Sequence, residues 1–298
     1  MSVRLGINPL TWSNDDLPEL GGDTPLETSL VEARQAGYAG MELGNKFPRD
    51  ARVLGPILTQ HGLALVSGWY SSRLLERSVE DEKKAVEPHL SLLSALGGTV
   101  MVYAEVSRCV HGERGMPISR RPKMSDADWT LFNQRLGEMG RYLRSRGMRL
   151  AYHHHMGTVV ETADDIDRMM GGTGTEVELL LDTGHLTYAG GDPVAMAKKY
   201  AGRIAHVHCK DVRADVLARA KAADMSFLNA VLEGVFTVPG DGCIDYAAVL
   251  PPIAAAGYAG WLVVEAEQDP AKAHPLTYAR MGHDNLLKLA RNAGFTIA

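Results

Sequence analysis

Four segments of the chain end an apolar run in side chains that can ligate a cation or move a proton. They are Tyr152-His153-His154-His155, Leu181-Asp182-Thr183-Gly184-His185, His206-Val207-His208 and Val264-Glu265-Ala266-Glu267. A buried run does not end in charge without a partner for it, because desolvating an unpaired polar group is costly. If each run is a strand, alternation puts His153 and His155 on one face and His154 on the other. His206 shares a face with His208, and Glu265 with Glu267. His208 is the better ligand of its pair because it lies nearer the strand's end, and Glu265 because it lies nearer the strand. The turn at Gly184 lets Asp182 bind a metal while His185 reaches a substrate; a helix N-cap is the alternative for Asp182. Mixed imidazole and carboxylate donors suit Mn²⁺, Co²⁺, Fe²⁺ or Zn²⁺ without a thiolate. Cys209 is expected to face away from His208. His61, His89, His111, His274 and His283 fall in helices or loops and read as ordinary structural histidines.

These groups need a scaffold that brings four strand ends together. Eight short runs read as strands: Val3 to Asn8, Gly40 to Leu43, Ala64 to Trp69, Thr99 to Glu105, Arg149 to His155, Val177 to Asp182, Ile204 to His208 and Trp261 to Glu265. Several are continuous apolar runs, as parallel strands covered on both faces require. Helical patterns fill the gaps, among them Pro25 to Gln35, Arg52 to Gln60, Asp81 to Leu96, Ser125 to Arg146, Asp245 to Ala256 and Pro275 to Asn292. Thr24 reads as a capping residue for the first, and Ser125 with Asp128 as the start of another. Glycine closes several helices just before a strand, at Gly37, Gly147 and Gly257, where a left-handed residue reverses the chain. The alternation predicts a (β/α)₈ barrel spanning 1–298 as one domain, with a doubly wound open sheet as the alternative. No GxGxxG follows the first strand. In a barrel the strand C-termini form the functional face. Asn8, Trp12, Trp69 and Glu105 fall at or after early strand ends and are candidate substrate contacts. The irregular stretches 11–24 and 107–123 fall on the same face, the second as a lid, a subunit contact or a plain surface excursion.

Composition narrows the partners. A net charge of −5 with no block of like charge gives no footprint for a nucleic acid. No apolar stretch reaches membrane-spanning length, and the start lacks a signal-peptide pattern. Three scattered cysteines, Cys109, Cys209 and Cys243, fit a reducing cytoplasm better than a disulfide framework.

The order "DTGH" then "HVHCKD" then a terminal Val264-Glu265 resembles the xylose isomerase-like barrels, which include sugar isomerases, ketose 3-epimerases and endonuclease IV. The segments "GINPLTWSNDD", "YHHHMGTVVET", "VPGDGCIDY" and "VVEAEQDP" are similar to the inosose dehydratase family. That resemblance implies elimination of water from 2-keto-myo-inositol, a small polyhydroxylated ketone, to a trihydroxycyclohexane-dione. It implies Mn²⁺ or Co²⁺, associates glutathione, and leaves a homo-oligomer open. The related epimerases end the fifth strand in a metal-binding glutamate, whereas this chain offers histidines. Counting back from Glu161 favours His155 as the replacement ligand, with His153 as the alternative and otherwise a substrate contact. The expected metal set is then His155, Asp182, His208 and Glu265. Losing one of two glutamates suits net elimination better than a symmetric two-base epimerase. Lys210, Glu265 and His185 are the candidate acid and base groups. Lys210 needs a depressed pKa to act as base; its alternative is an ion pair with Asp211. A ketose epimerase, a DNA-repair nuclease and a non-catalytic sugar-binding barrel are the rival readings.

Overall fold

The computed structural model describes all residues from Met1 to Ala298. Eight parallel strands form the centre: β1 (Ser2–Ile7), β2 (Gly40–Leu43), β3 (Ala64–Ser72), β4 (Val100–Glu105), β5 (Arg149–His153), β6 (Val177–Asp182), β7 (Ile204–Cys209) and β8 (Trp261–Val264). Each pairs with the next, and β8 returns to β1 with Arg4 opposite Trp261 and Ile7 opposite Val264, so the barrel closes. The (β/α)₈ expectation holds, and closure rules out the open-sheet alternative.

Helices α1 (Leu26–Ala36), α2 (Ala51–His61), α3 (Val79–Ala95) and α4 (Asp126–Ser145) wrap the first half. Ser125 and Asp128 form the expected reciprocal cap on α4. Thr24 does not cap α1: Pro25 takes that place without a side-chain bond, its fixed φ being suited to a helix entry. A helix the sequence pattern did not announce, α5 (Ala163–Gly172), starts on a Thr162–Asp165 capping box. Then come α6 (Thr183–Tyr188) and α7 (Pro193–Tyr200).

The passage from β7 to β8 is the elaborated one. Helices α8 (Ala214–Ala222) and α9 (Phe227–Leu232) and a two-residue ladder, Asp211–Val212 against Phe236–Thr237, precede α10 (Tyr246–Ala255). This excursion has its own apolar cluster, in which Phe227, Phe236 and Val231 meet Leu17 and Met156 from the loops after β1 and β5. It walls one side of the barrel mouth. Helix α11 (Pro275–Asn292) completes the ring. No helix is long and apolar enough to cross a membrane.

One irregularity matters for the site. Leu179 pairs with Ile204, but Leu180 pairs with His206, so Ala205 is an extra residue on β7. Ala205 packs in the barrel interior with Leu180 and Ala151. Strict alternation would send Val207 and Cys209 the same way. The bulge resets the phase, so Val207 and Cys209 face the helix layer core and both histidines turn inward.

Candidate metal centre and its pocket

A cavity of about 280 Å³ opens at the strand C-termini. Asp182 ends β6 directly opposite His208 on β7, and Val263 of β8 lies on the other side of His208. Glu265 follows β8 within the same ring. His153, Asp182, His208 and Glu265 all offer donor atoms within 4.8 Å of one another, and all four are buried.

His153 completes this group where the sequence favoured His155. Strand β5 ends at His153, so the alternation argument does not extend two residues further. His155 already belongs to a turn, its N–H donating to Val160 O at 3.1 Å. That turn carries it sideways into a second group, His155–His185–Glu267. His154 points the other way, as expected, and accepts from the Asp182 N–H at 3.4 Å.

Asp182 takes the N-cap role and still turns one oxygen to the cluster. Oδ1 accepts the His185 N–H at 2.8 Å and caps α6, while Oδ2 faces the cluster, 3.3 Å from His153 Nε2 and 3.5 Å from His208 Nδ1. Burial alone would push the Asp182 and Glu265 carboxyls up. Lys210 pulls the first, and His208 and Lys210 the second, below the usual range. The residues fit a divalent cation on two counts. The donor set is two imidazoles and two carboxylates, and Nδ1 of His208, which faces both carboxylates, is buried with no hydrogen-bond partner. His208 Nδ1 is 2.9 Å from Glu265 Oε2, but out of line for a hydrogen bond.

The second group adjoins the first through a tethered cation, Lys210. Lys210 Nζ lies 2.7 Å from Glu265 Oε1, 2.8 Å from Glu267 Oε2 and 2.8 Å from His185 Nε2. Burial lowers a lysine, yet Glu265, Glu267 and Asp182 together raise this one well above its ordinary value. These carboxylates work against the depressed pKa that base catalysis by Lys210 needs, and its ion-pair partners are Glu265 and Glu267 rather than Asp211. That carboxylate instead accepts N–H groups of Val212, Gly240 and Ile244. His155 and His185 are held neutral, first by burial, then by His111 and His153 for His155 and by His155 and Lys210 for His185. Phe227 lies 5.0 Å from the His155 ring and Phe236 5.3 Å from the His185 ring. Burial pushes the Glu267 carboxyl up to about 7.

The other expected contacts divide. Asn8 lines the cavity and donates from Nδ2 to Glu42 at 2.7 Å and Glu265 at 2.9 Å. Trp69 also lines it, edge-on to His153 and His155 at 5.2 and 5.4 Å. Trp12 and Glu105 do not reach it. Trp12 follows a 3-10 turn that drops its ring into the core, with Nε1 donating to Glu32. Glu105 accepts from Ser72 Oγ and the N–H groups of Leu74 and Ser107, and so ties off β3 and β4.

Three contributors escaped the sequence reading. His111 lines the cavity because Val110 N–H bonds Gly157 O and lays the loop after β4 against the mouth. Asp16, from the loop after β1, lies 4.0 Å from the His111 ring. Glu42 lies inside β2, where a charge within Gly40-Met41-Glu42-Leu43 was a signal available in the sequence.

The barrel and its ring of inward imidazoles and carboxylates define a TIM-barrel site with groups that could hold a metal ion. The chain belongs to the xylose isomerase-like TIM barrel family, whose model matches residues 30–289. It is 54% identical over 298 residues to the rhizopine catabolism protein MocC of Rhizobium meliloti, covering 100% of this chain and 92% of that protein. It is 45% identical over 279 residues to the inosose dehydratase of Clostridium beijerinckii, 93% of this chain and 94% of that one. A xylose isomerase-like TIM barrel protein from Mycobacterium smegmatis, solved in complex with magnesium, shares the fold. Its TM-score is 0.70 at 18% identity, over 98% of this chain and 97% of that one.

Proposed function

We propose that the chain is a metal-dependent hydro-lyase of inositol catabolism. It removes water from 2-keto-myo-inositol to give a trihydroxycyclohexane-1,2-dione. The reading is supported by relatives named inosose dehydratase at 40–45% identity over nearly the whole chain. The observation that carries it chemically is the four-donor group at the mouth, flanked by a neutral imidazole in place of a second free carboxylate.

His153, Asp182, His208 and Glu265 would hold Mn²⁺ or Co²⁺. Such a cation supplies Lewis acidity to a ketone oxygen and so acidifies the neighbouring C–H. His155 is placed to take that proton. Its Nδ1–H is committed to the Met156 carbonyl at 2.8 Å, which leaves the lone pair on Nε2. The C–H electrons form the ring double bond as the hydroxyl on the next carbon departs. Glu267 protonates that hydroxyl. Lys210 holds its Oε2, and Oε1 lies 4.0 Å from His155 Nε2, so His155 returns the abstracted proton to Glu267. Water and an enol result, and the enol tautomerises to the dione. Lys210 and His185 position Glu267, and Trp69 gives the ring's C–H face an apolar wall. No step draws on glutathione. We place the chain in the cytoplasm, where Cys109, Cys209 and Cys243 stay unpaired.

Elemental analysis of the purified protein, then mass spectrometry after incubation with 2-keto-myo-inositol and with free ketoses plus Mn²⁺, tests the reading. One metal per chain and a product one water lighter than the inosose are expected. Interconversion of ketoses with no loss of water would replace it with an epimerase. Glu265→Gln should abolish turnover.

A further inference from the structure

The deep side of the metal centre holds a carboxylate that the reaction above does not use. Glu42 is 2% exposed and meets three nitrogen groups. Oε1 is 2.8 Å from His206 Nε2 and 3.3 Å from His208 Nε2. Oε2 is 2.7 Å from Asn8 Nδ2 and 3.2 Å from His208 Nε2. An ionised carboxylate only accepts hydrogen bonds, so both imidazoles present Nε2–H to it. A neutral imidazole protonated at Nε2 carries its lone pair at Nδ1. On His208 that is the buried, unpartnered nitrogen aimed at Asp182 and Glu265.

We infer that Glu42 is a positioning residue: it fixes His208 as a ligand through Nδ1, and His206 and Asn8 hold Glu42 in place. The inference rests on the metal centre proposed above. Ligating histidines characteristically donate their second N–H to a carboxylate, which fixes ring and tautomer and raises ligand basicity. The arrangement also accounts for the bulge at Ala205. Without it His206 and His208 would both turn away from Glu42. Glu42, His206 and His208 lie close enough to be a second cation site in their own right. The Asn8 amide, donating to Glu42 and to Glu265 at once, argues against that, because its N–H₂ group would face a cation there.

The Glu42→Gln substitution would bring an N–H₂ group against one of the two Nε2–H donors. Cobalt titration of this variant, followed by Co²⁺ absorption in competition with a chelator, should show affinity about 10- to 100-fold below the unmodified chain. Affinity within about twofold would overturn the inference. A second measurement does not depend on how the variant folds. Long-range proton–nitrogen NMR of the cadmium-loaded native chain should show His208 protonated at Nε2 and cadmium-bound at Nδ1; coordination through Nε2 overturns it. Two cobalt ions per native chain, the second lost in Glu42→Gln, would make Glu42 a ligand and overturn the positioning role. A native chain that takes up no cobalt or cadmium removes the metal reading itself, an outcome distinct from a normal-affinity Glu42→Gln.

Discussion

Two polar groups lie side by side at the barrel mouth, built from the same residue types and arranged for different work. In the group of His153, Asp182, His208 and Glu265, His208 Nδ1 faces both carboxylates and is buried without a hydrogen-bond partner. In the group of His155, His185 and Glu267, His185 Nε2 already meets the Lys210 ammonium, which also pairs with Glu267, and His155 Nδ1 is committed to the Met156 carbonyl. The first group is backed by a carboxylate, Glu42, and the second by Phe227 and Phe236. A cluster of metal-ligating residues is therefore not by itself a metal site. Lys210 reaches both groups, through Glu265 and through Glu267, so what decides is whether the ring nitrogens facing the carboxylates are already partnered.

The sharpest way to break this comparison is Asp182→Asn. Asparagine still caps α6, but the cluster loses one of its two carboxylates. Metal content should collapse, and kcat/KM should fall at least about 1000-fold, the scale of losing several kcal/mol of Lewis-acid stabilisation. Next is His155→Gln. Activity should drop about 100- to 10,000-fold, as for a lost general base, while the metal per chain stays at its native level. Loss of metal from this variant would return His155 to the ligand set and undo the distinction between the groups.

Lys210→Met tests the second group through stability. Removing the ammonium strands buried Glu265 and Glu267, a change that costs about 3–5 kcal/mol when a buried ion pair is broken. Denaturant unfolding should show that loss, and the double variant with Glu267→Gln should recover part of it. An unchanged midpoint would mean that Lys210 does not neutralise the group.

The smallest effect lies outside both groups and serves as a control. Glu161 is buried beside Arg121, and burial pushes its carboxyl up to about 7. A raised acid favours the folded state while protonated. Its contribution is fully present below the unfolded value near 4.5 and is lost as pH rises through about 7. Glu161→Gln should flatten that part of the stability profile and leave metal affinity unchanged; a native-like slope would show that other groups set it.

The residue pattern determined the eight strands, the barrel and the polar groups at its mouth. Continuous apolar runs, helix-ending glycines and charge at strand ends are local signals, and a parallel barrel converts strand order into convergence. It also marked Asp182, His208 and Glu265 as neighbours, because each lies at or just past the end of a strand. Only the tertiary structure decided between His153 and His155, since that choice depends on where β5 stops and its turn begins. The bulge at Ala205, the burial of Trp12 against α1 and the approach of His111 across the mouth were equally invisible in sequence. Each arises from packing between segments far apart in the chain, where alternation along a single strand carries no information.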